Sequence, residues 1–167
     1  MEDVVAGVLR QWERAYPGLE TGPIAVIGRL NRCSALLQQG SGGPLTREGV
    51  TRPEFEILGA LRRVGHELTP TQLARESFAS GAAVTKRVRS LEERGLVSRR
   101  IDERDRRVAH LSLTRSGHEL VDRLYPELLT YDKALLSGLT PEQRDELAEA
   151  LGRLLLALEG STGRLPS

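Results

Sequence analysis

Apolar positions recur at helical spacing from the start of the chain. Val4, Val5, Val8, Leu9 and Trp12 share one stripe, which predicts a helix over residues 3–16. The stretch "YPGLETGP" then interrupts it, with Pro17 and Gly18 as breakers. Ile24, Ile27, Leu30, Ala35 and Leu37 predict a second helix over 24–37, and the Gly-rich "QQGSGGPLTREG" after it reads as a flexible connection. Thr51 opens the next helix as a capping box. Its hydroxyl takes a free N–H, Pro53 suits the first turn, and Glu54 reaches back. Phe55, Ile57, Leu58 and Leu61 supply a buried face that stops at Gly65. The same grammar recurs twice. "TPTQ" at 69–72 opens a short helix to about Glu76 with Leu73 and Ala74 inward, and "TPEQ" at 140–143 opens a helix to about Glu159. Between them, Thr114 to Ser137 reads as a long amphipathic helix carrying Leu120, Leu124, Leu128 and Leu135. Pro126 inside it predicts a kink or local break.

From Gly95 to Thr114 the period changes to alternation. In "VAHLSL", Ala109, Leu111 and Leu113 alternate with Val108, His110 and Ser112, while "LVSRRI" precedes the turn "DERDR". This is a two-stranded hairpin with a charged tip. Two short helices, a turn at "SFAS", a third helix over 81–94 and a hairpin make a winged helix-turn-helix. The expected fold is therefore mainly α with a small β-hairpin, flanked by N- and C-terminal helices. On the third helix Val84, Val88 and Leu91 fall at i, i+4 and i+7 and form the inner stripe. Lys86 and Arg89 lie opposite, with Thr85 on one flank and Arg87 on the other. Ser80 is a natural N-cap, and Gly81, Ala82 and Ala83 are small enough for that end to approach a groove floor.

Charge sharpens this picture. Residues 62–107 hold 12 Arg or Lys against 7 Asp or Glu, whereas the rest of the chain holds 12 against 16. Such asymmetry marks a segment for a polyanionic partner. Its cations gather on the third helix and the hairpin, the two elements that meet DNA in winged folds. Thr85, Lys86 and Arg89 are placed to reach base edges or backbone, with Ser80, Gly81 and Ala82 at the phosphate-facing end. Arg104, Arg106 and Arg107 at the tip suit a narrow minor groove. Asp105 is expected to be a brace that orients an arginine.

The run "LARESFASGAAVTKRVRSLEERGLVSRRIDERDRRVAHLSLTRSGHEL" resembles the core signature of the MarR family of transcription regulators. It carries the family's "T-x-x-x-x-x-L-E-x-x-G-L-V-x-R", "D-x-x-D-R-R" and "L-T-x-x-G" patterns, and the likeness spans about residues 24–159. The sequence departs at Gly81, where many members carry proline. The resemblance implies a homodimeric regulator, most often a repressor, that binds a palindromic DNA operator and responds to a small anionic phenolic or aromatic ligand. It divides the chain into dimerisation helices over 1–50, a winged domain over 51–113 and further dimerisation helices over 114–167. The apolar stripes of the terminal helices agree, because residues 51–113 are too small a domain to cover them. The stretch "VLRQWERAYPGLETGPIAVIGR" is similar to the N-terminal helix of the urate-responsive branch. That likeness implies ligand roles for Trp12 and Glu56, with Glu56 where the branch tends to have Asp and Ser90 where it has Arg. Trp12 is equally readable as a hydrophobic anchor, and Arg29, Arg62 and Arg63 as ligand contacts or as surface residues near phosphates.

Other chemistries find less support. Cys33 is the only cysteine, so no internal disulfide forms, and it is expected to be a packing residue rather than a redox sensor. His66, His110 and His118 make no recognisable metal motif, and no cofactor is implied. No phosphate-binding loop, nucleophile elbow or paired-carboxylate motif points to an enzyme. No apolar run approaches a membrane span and the N-terminus lacks a signal peptide, so a cytoplasmic protein is expected. The alternative from another class is a winged-helix module that binds protein rather than DNA.

Overall fold

A computed structural model describes residues 2–39, 43–77 and 81–161. These residues form α1 (Val4–Ala15), α2 (Gly22–Gln39), α3 (Pro44–Arg47), α4 (Arg52–Val64), α5 (Pro70–Glu76) and α6 (Gly81–Glu93). The strands β1 (Val97–Ile101) and β2 (Ala109–Leu113) follow, then α7 (Arg115–Leu135) and α8 (Pro141–Ser161). The chain divides into two compact units, one through Leu124 and one from Tyr125.

In the first unit, α4, α5, α6 and the β1–β2 hairpin build the expected winged helix-turn-helix. Both capping boxes close as predicted. Thr51 accepts from the Glu54 N–H while Glu54 accepts from Thr51, and Thr69 and Gln72 repeat the exchange. Gly65 ends α4 at φ 74°, a left-handed turn that suits glycine. The core is made by Phe55, Ile57, Leu58 and Leu61 of α4, Leu73 of α5, and Val84, Val88 and Leu91 of α6. Each such side chain contributes roughly 1.5–3 kcal/mol on burial. Leu111 of β2 closes this core and exchanges two backbone hydrogen bonds with Leu68, so the segment before α5 adds a one-residue bridge to the hairpin.

The connection after α2 is less irregular than expected. Its second half forms α3, and Pro44, Leu45 and Val50 are buried. Gly40 to Gly42 lie outside the described residues. The apolar stripes of α1 and α2 find little cover within the chain. Only Val5 is buried on α1 and no residue is buried on α2, leaving Val4, Val8, Trp12, Val26, Ile27 and Leu37 exposed. These helices cover one another only along a narrow line, because a single layer of two helices has no further surface to fold onto. Their contact is close where it exists: a Cβ on Gly28 would stand 3.1 Å from Val5 Cγ1. Cys33, expected to pack, is exposed.

The C-terminal end of α6, the start of β1 and the start of α7 meet at one point. Gly95, at φ 66°, ends α6, with the Leu96 N–H on the Leu91 carbonyl (2.9 Å) and the Gly95 N–H on that of Glu92 (2.9 Å). Thr114 then donates its N–H to the Leu96 carbonyl (3.1 Å) and its hydroxyl to the Gly95 carbonyl (2.7 Å), while accepting from the Gly117 N–H (3.0 Å). This explains the "L-T-x-x-G" pattern. A Cβ on Gly117 would lie 2.1 Å from the Leu96 carbonyl oxygen.

Helix α7 is continuous through Pro126, so of the kink or local break expected there no break occurs. Leu120, Val121 and Leu124 are buried in the first unit. In the second unit, α8 starts on the predicted Thr140–Gln143 exchange (2.9 and 3.3 Å). Its Leu147, Leu151, Leu155 and Leu158 stay exposed.

Gly117→Ala is expected to destabilise the protein by about 2–4 kcal/mol, because the backbone it meets cannot move aside cheaply. Gly59→Ala in mid-α4, where a Cβ meets nothing within 4 Å, is expected to be neutral or stabilising by up to about 1 kcal/mol. Urea unfolding of both variants compares them directly. Equal stability of the two would refute the close approach at Leu96.

Candidate nucleic-acid interface

Helix α6 separates its faces as its spacing dictates. With Val84, Val88 and Leu91 buried, Ala82, Thr85, Lys86 and Arg89 project outward. Gly81 opens the helix, and Ser80, the expected N-cap, lies outside the described residues. Arg89 pairs with Glu93 one turn on (Nε–Oε1 3.0 Å), and both are strongly exposed. An exposed pair of this kind is worth about 0–1 kcal/mol, so a phosphate can readily take the guanidinium from it. Arg87, on the flank, is half-buried and acts electrostatically on Glu56 of α4.

A polar cluster behind α6 fixes its position. Glu54, buried at the N-terminus of α4, accepts the Thr51 N–H (2.9 Å) and hydroxyl (2.8 Å) and the Ser90 hydroxyl from α6 (2.9 Å). Arg94 lies 4.0 Å away and donates to the Glu48 and Gly49 carbonyls, both at 3.1 Å. Burial pushes the Glu54 carboxyl up, but its hydrogen bonds to Thr51 and Ser90 and the Arg94 charge outweigh this and hold it below the ordinary value. No local sequence signal marks this link, since Glu54 and Ser90 are 36 positions apart.

The wing is a regular antiparallel pair, with Val97 opposite Leu113 and Ile101 opposite Ala109. Its tip is tied down by carboxylates. Asp102 Oδ1 accepts the N–H groups of Arg104 (2.8 Å) and Asp105 (3.0 Å), and Asp102 Oδ2 meets His110 Nε2 at 3.1 Å. These donors, the two backbone groups foremost, bring the Asp102 carboxyl down to about 2. Asp105 is a brace, as expected, but it grips the Arg107 backbone N–H (3.0 Å) rather than a guanidinium. The roles of Asp102 and His110 were not read from the sequence. The spacing from Asp102 to Arg104 and Asp105 is that of an Asx turn and was the available signal. Arg104, Arg106 and Arg107 are exposed, and among the described residues no ion pair engages their side chains.

The five residues considered for a ligand are engaged separately. Trp12 on α1 is 41% exposed, with its ring 5.9 Å from that of Tyr16. Arg29 on α2 donates to Asp3 (2.8 and 3.1 Å), tying α2 to the N-cap of α1. Arg62 on α4 holds Asp122 of α7 through Nε (2.7 Å) and Nη2 (3.3 Å). Desolvation raises the Glu56 carboxyl above its ordinary value despite Arg52 and Arg87 nearby. Among the described residues no hydrogen bond or ion pair joins Trp12, Arg29, Glu56 and Arg62 to one another. Arg63 pairs with Glu76 at the end of α5 (2.9 Å). Among the described residues no three His, Cys, Asp or Glu side chains group as metal ligands, and no helix is long and apolar enough to cross a membrane.

The MarR family model matches residues 48–108, which span α4 to the wing tip. The HTH-type transcriptional regulator PecS of Dickeya dadantii (strain 3937) is 30% identical over 152 residues, covering 90% of this chain and 92% of its own. The chain belongs to the MarR family. It is accordingly a DNA-binding transcription regulator of MarR type. Solved MarR-family structures share its fold. The Staphylococcus aureus MepR–DNA complex matches with a TM-score of 0.69 at 24% identity, over 79% of this chain and 97% of MepR. Bordetella bronchiseptica BpsR, whose DNA binding is regulated by 6-hydroxynicotinic acid, matches at 0.66 and 25% identity, over 77% of this chain and 97% of its own.

Ser90→Ala is expected to cost about 1–2 kcal/mol near neutrality, as one hydrogen bond to a charged, buried acceptor is removed. The sign with pH follows from the lowered Glu54 carboxyl. Stability from a depressed carboxylate is present above its unfolded pKa and lost as pH falls through the folded value. The gap between the native protein and Ser90→Ala should therefore narrow below about pH 4. Denaturation curves at pH 7 and in acid test both halves.

Proposed function

We propose that the protein is a homodimeric repressor that reads a palindromic operator with α6 and the wing, and that a small anionic aromatic ligand releases it. The observation that carries this reading is the exposed cationic surface formed by Lys86 and Arg89 on α6 and by Arg104, Arg106 and Arg107 on a braced hairpin tip. Ala82 and Thr85 are exposed on the same helix, and Ser80 and Gly81 precede them in the chain. In this reading α6 enters a major groove and the tip follows a minor groove, where guanidinium groups are favoured. The uncovered stripes on α1, α2 and α8 support association with a second copy, which would set half-sites about one helical turn apart. Residues 1–50 and 114–167 then serve dimerisation, and residues 51–113 serve DNA. A protein working on DNA of this kind is cytoplasmic.

The effector reading rests on Trp12 and Glu56, with Arg29 and Arg62 as candidate cations. The regulation of BpsR by 6-hydroxynicotinic acid supports an aromatic acid of this type. Both arginines would first have to leave Asp3 and Asp122, which is feasible for exposed pairs. Ligand coupling to DNA of roughly 1–3 kcal/mol is the expected scale.

The test is fluorescence-anisotropy titration on the DNA flanking the protein's own gene against scrambled duplex, at several salt concentrations. Specific binding should exceed non-specific by at least about a thousandfold. Arg89→Glu and Arg106→Glu should each weaken it tenfold or more, and the salt slope should fall by about one for each phosphate left without its cation. Retained binding by both variants would sink α6 and the wing as the contact surface, whereas equal, weak binding to flanking and scrambled duplex leaves an operator elsewhere or a protein-interaction module. Separately, Trp12 emission should respond to at least one of urate, salicylate and related aromatic acids. A flat response across the panel removes Trp12 from the ligand site.

A further inference from the structure

We infer that His110 is a positioning residue for the wing tip, and that protonating it strengthens the grip of the wing on DNA. The inference rests on the reading of the wing as a DNA contact. Its basis is one carboxylate serving two tasks. Asp102 Oδ1 gathers the N–H groups of Arg104 and Asp105 and so shapes the turn that presents the tip arginines, while Oδ2 meets His110 Nε2 at 3.1 Å. His110 therefore holds the brace from behind, across the strands. Of the three donors on Asp102, it alone can gain a charge.

The surroundings make that charge count. The two side chains are 23% and 30% exposed, so they are partly screened from solvent. From β1, Arg100 stands opposite His110 in the register, and Glu67, on the segment before α5, is already paired with Arg100 (Nε–Oε1 3.3 Å). Glu67 also feels the His110 ring, and Asp102 and Glu103 both act on Arg100. Among the described residues, Asp102 has no ion-pair partner other than His110.

With a neutral ring, Asp102 leaves one negative charge at the base of a cationic tip. With a charged ring, the pair is neutral, and only Glu103 and Asp105 remain as uncompensated acids among Arg104, Arg106 and Arg107. Backbone phosphates keep their charge throughout the range where histidine titrates, about pH 5 to 8. Phosphates favour the charged ring, so binding takes up a proton and affinity rises as pH falls. The other histidines are placed differently: His66 Nδ1 lies on the Glu67 carbonyl (2.9 Å), and His118 acts on Asp122.

The experiment uses the full chain and a fluorescein-labelled duplex of the DNA flanking its own gene, with anisotropy read from pH 8 to 6 at fixed ionic strength. For the native protein, affinity should rise about two- to fivefold, the scale of one partly exposed charge. His110→Gln keeps a donor but cannot gain a charge, so its affinity should stay flat over the same window. In parallel, NMR should show the Arg104 and Asp105 amide signals moving with the His110 ring titration. A His110→Gln protein whose affinity rises with falling pH as the native one does would overturn the inference, as would amide signals that ignore the ring. Failure of the underlying reading looks different, because Arg106→Glu would then bind as tightly as the native protein at every pH.

Discussion

The carbonyl group of Leu96 is the constraint on which the reading head depends. It lies where α6 has just ended and β1 is about to begin, and it accepts the N–H of Thr114 from the far end of the hairpin. The Gly117 backbone presses against it so closely that no side chain fits between. Three elements are thereby registered by one peptide. If α6 were one residue longer, or α7 began with a bulkier turn, the hairpin would leave the core at a different angle. The left-handed turn at Gly95 matters for the same reason, since it delivers that carbonyl to its partners.

Around this seam, charge is distributed by function. Several arginines of the head hold the fold, Arg62 on Asp122, Arg63 on Glu76, Arg94 on two carbonyls and Arg100 on Glu67, and Arg123 of α7 joins them on Glu48. The wing arginines sit instead on a turn whose shape is fixed by carboxylates bonded to backbone. Rigid presentation of an uncommitted cation reduces the ordering that a nucleic acid must impose on binding. A basic segment read only by its net charge hides this division.

Much of the head was legible because its signals are local. Thr51 and Glu54, and Thr69 and Gln72, announce helix starts within four residues, and Val84, Val88 and Leu91 announce a buried face within eight. The hairpin followed from alternation over "VAHLSL". What is not legible there is either long-range or hidden by composition. Glu54 and Ser90 meet only after α4 and α6 pack, and "GGPLTREG" looked like a linker although Pro44 and Leu45 belong to the core. The stripes on α1 and α2 were seen, but periodicity states only that a face is apolar, not what covers it. Arg29 and Arg62, candidate ligand contacts by sequence, each have a carboxylate partner that no spacing rule reveals.

The opening of α7 has a mechanical consequence. Asp122 and Arg123 are neighbours on that helix and point in different directions. Asp122 takes hold of α4 through Arg62, and Arg123 reaches Glu48 on the turn ahead of α4. With Thr114 and Gly117 fastened to the end of α6, the first turns of α7 are a handle riveted to the head at three places. In the proposed dimer, a force applied to that handle carries α6 and the wing together. Such a device alters where the two proposed reading heads stand and leaves unchanged which bases each could read.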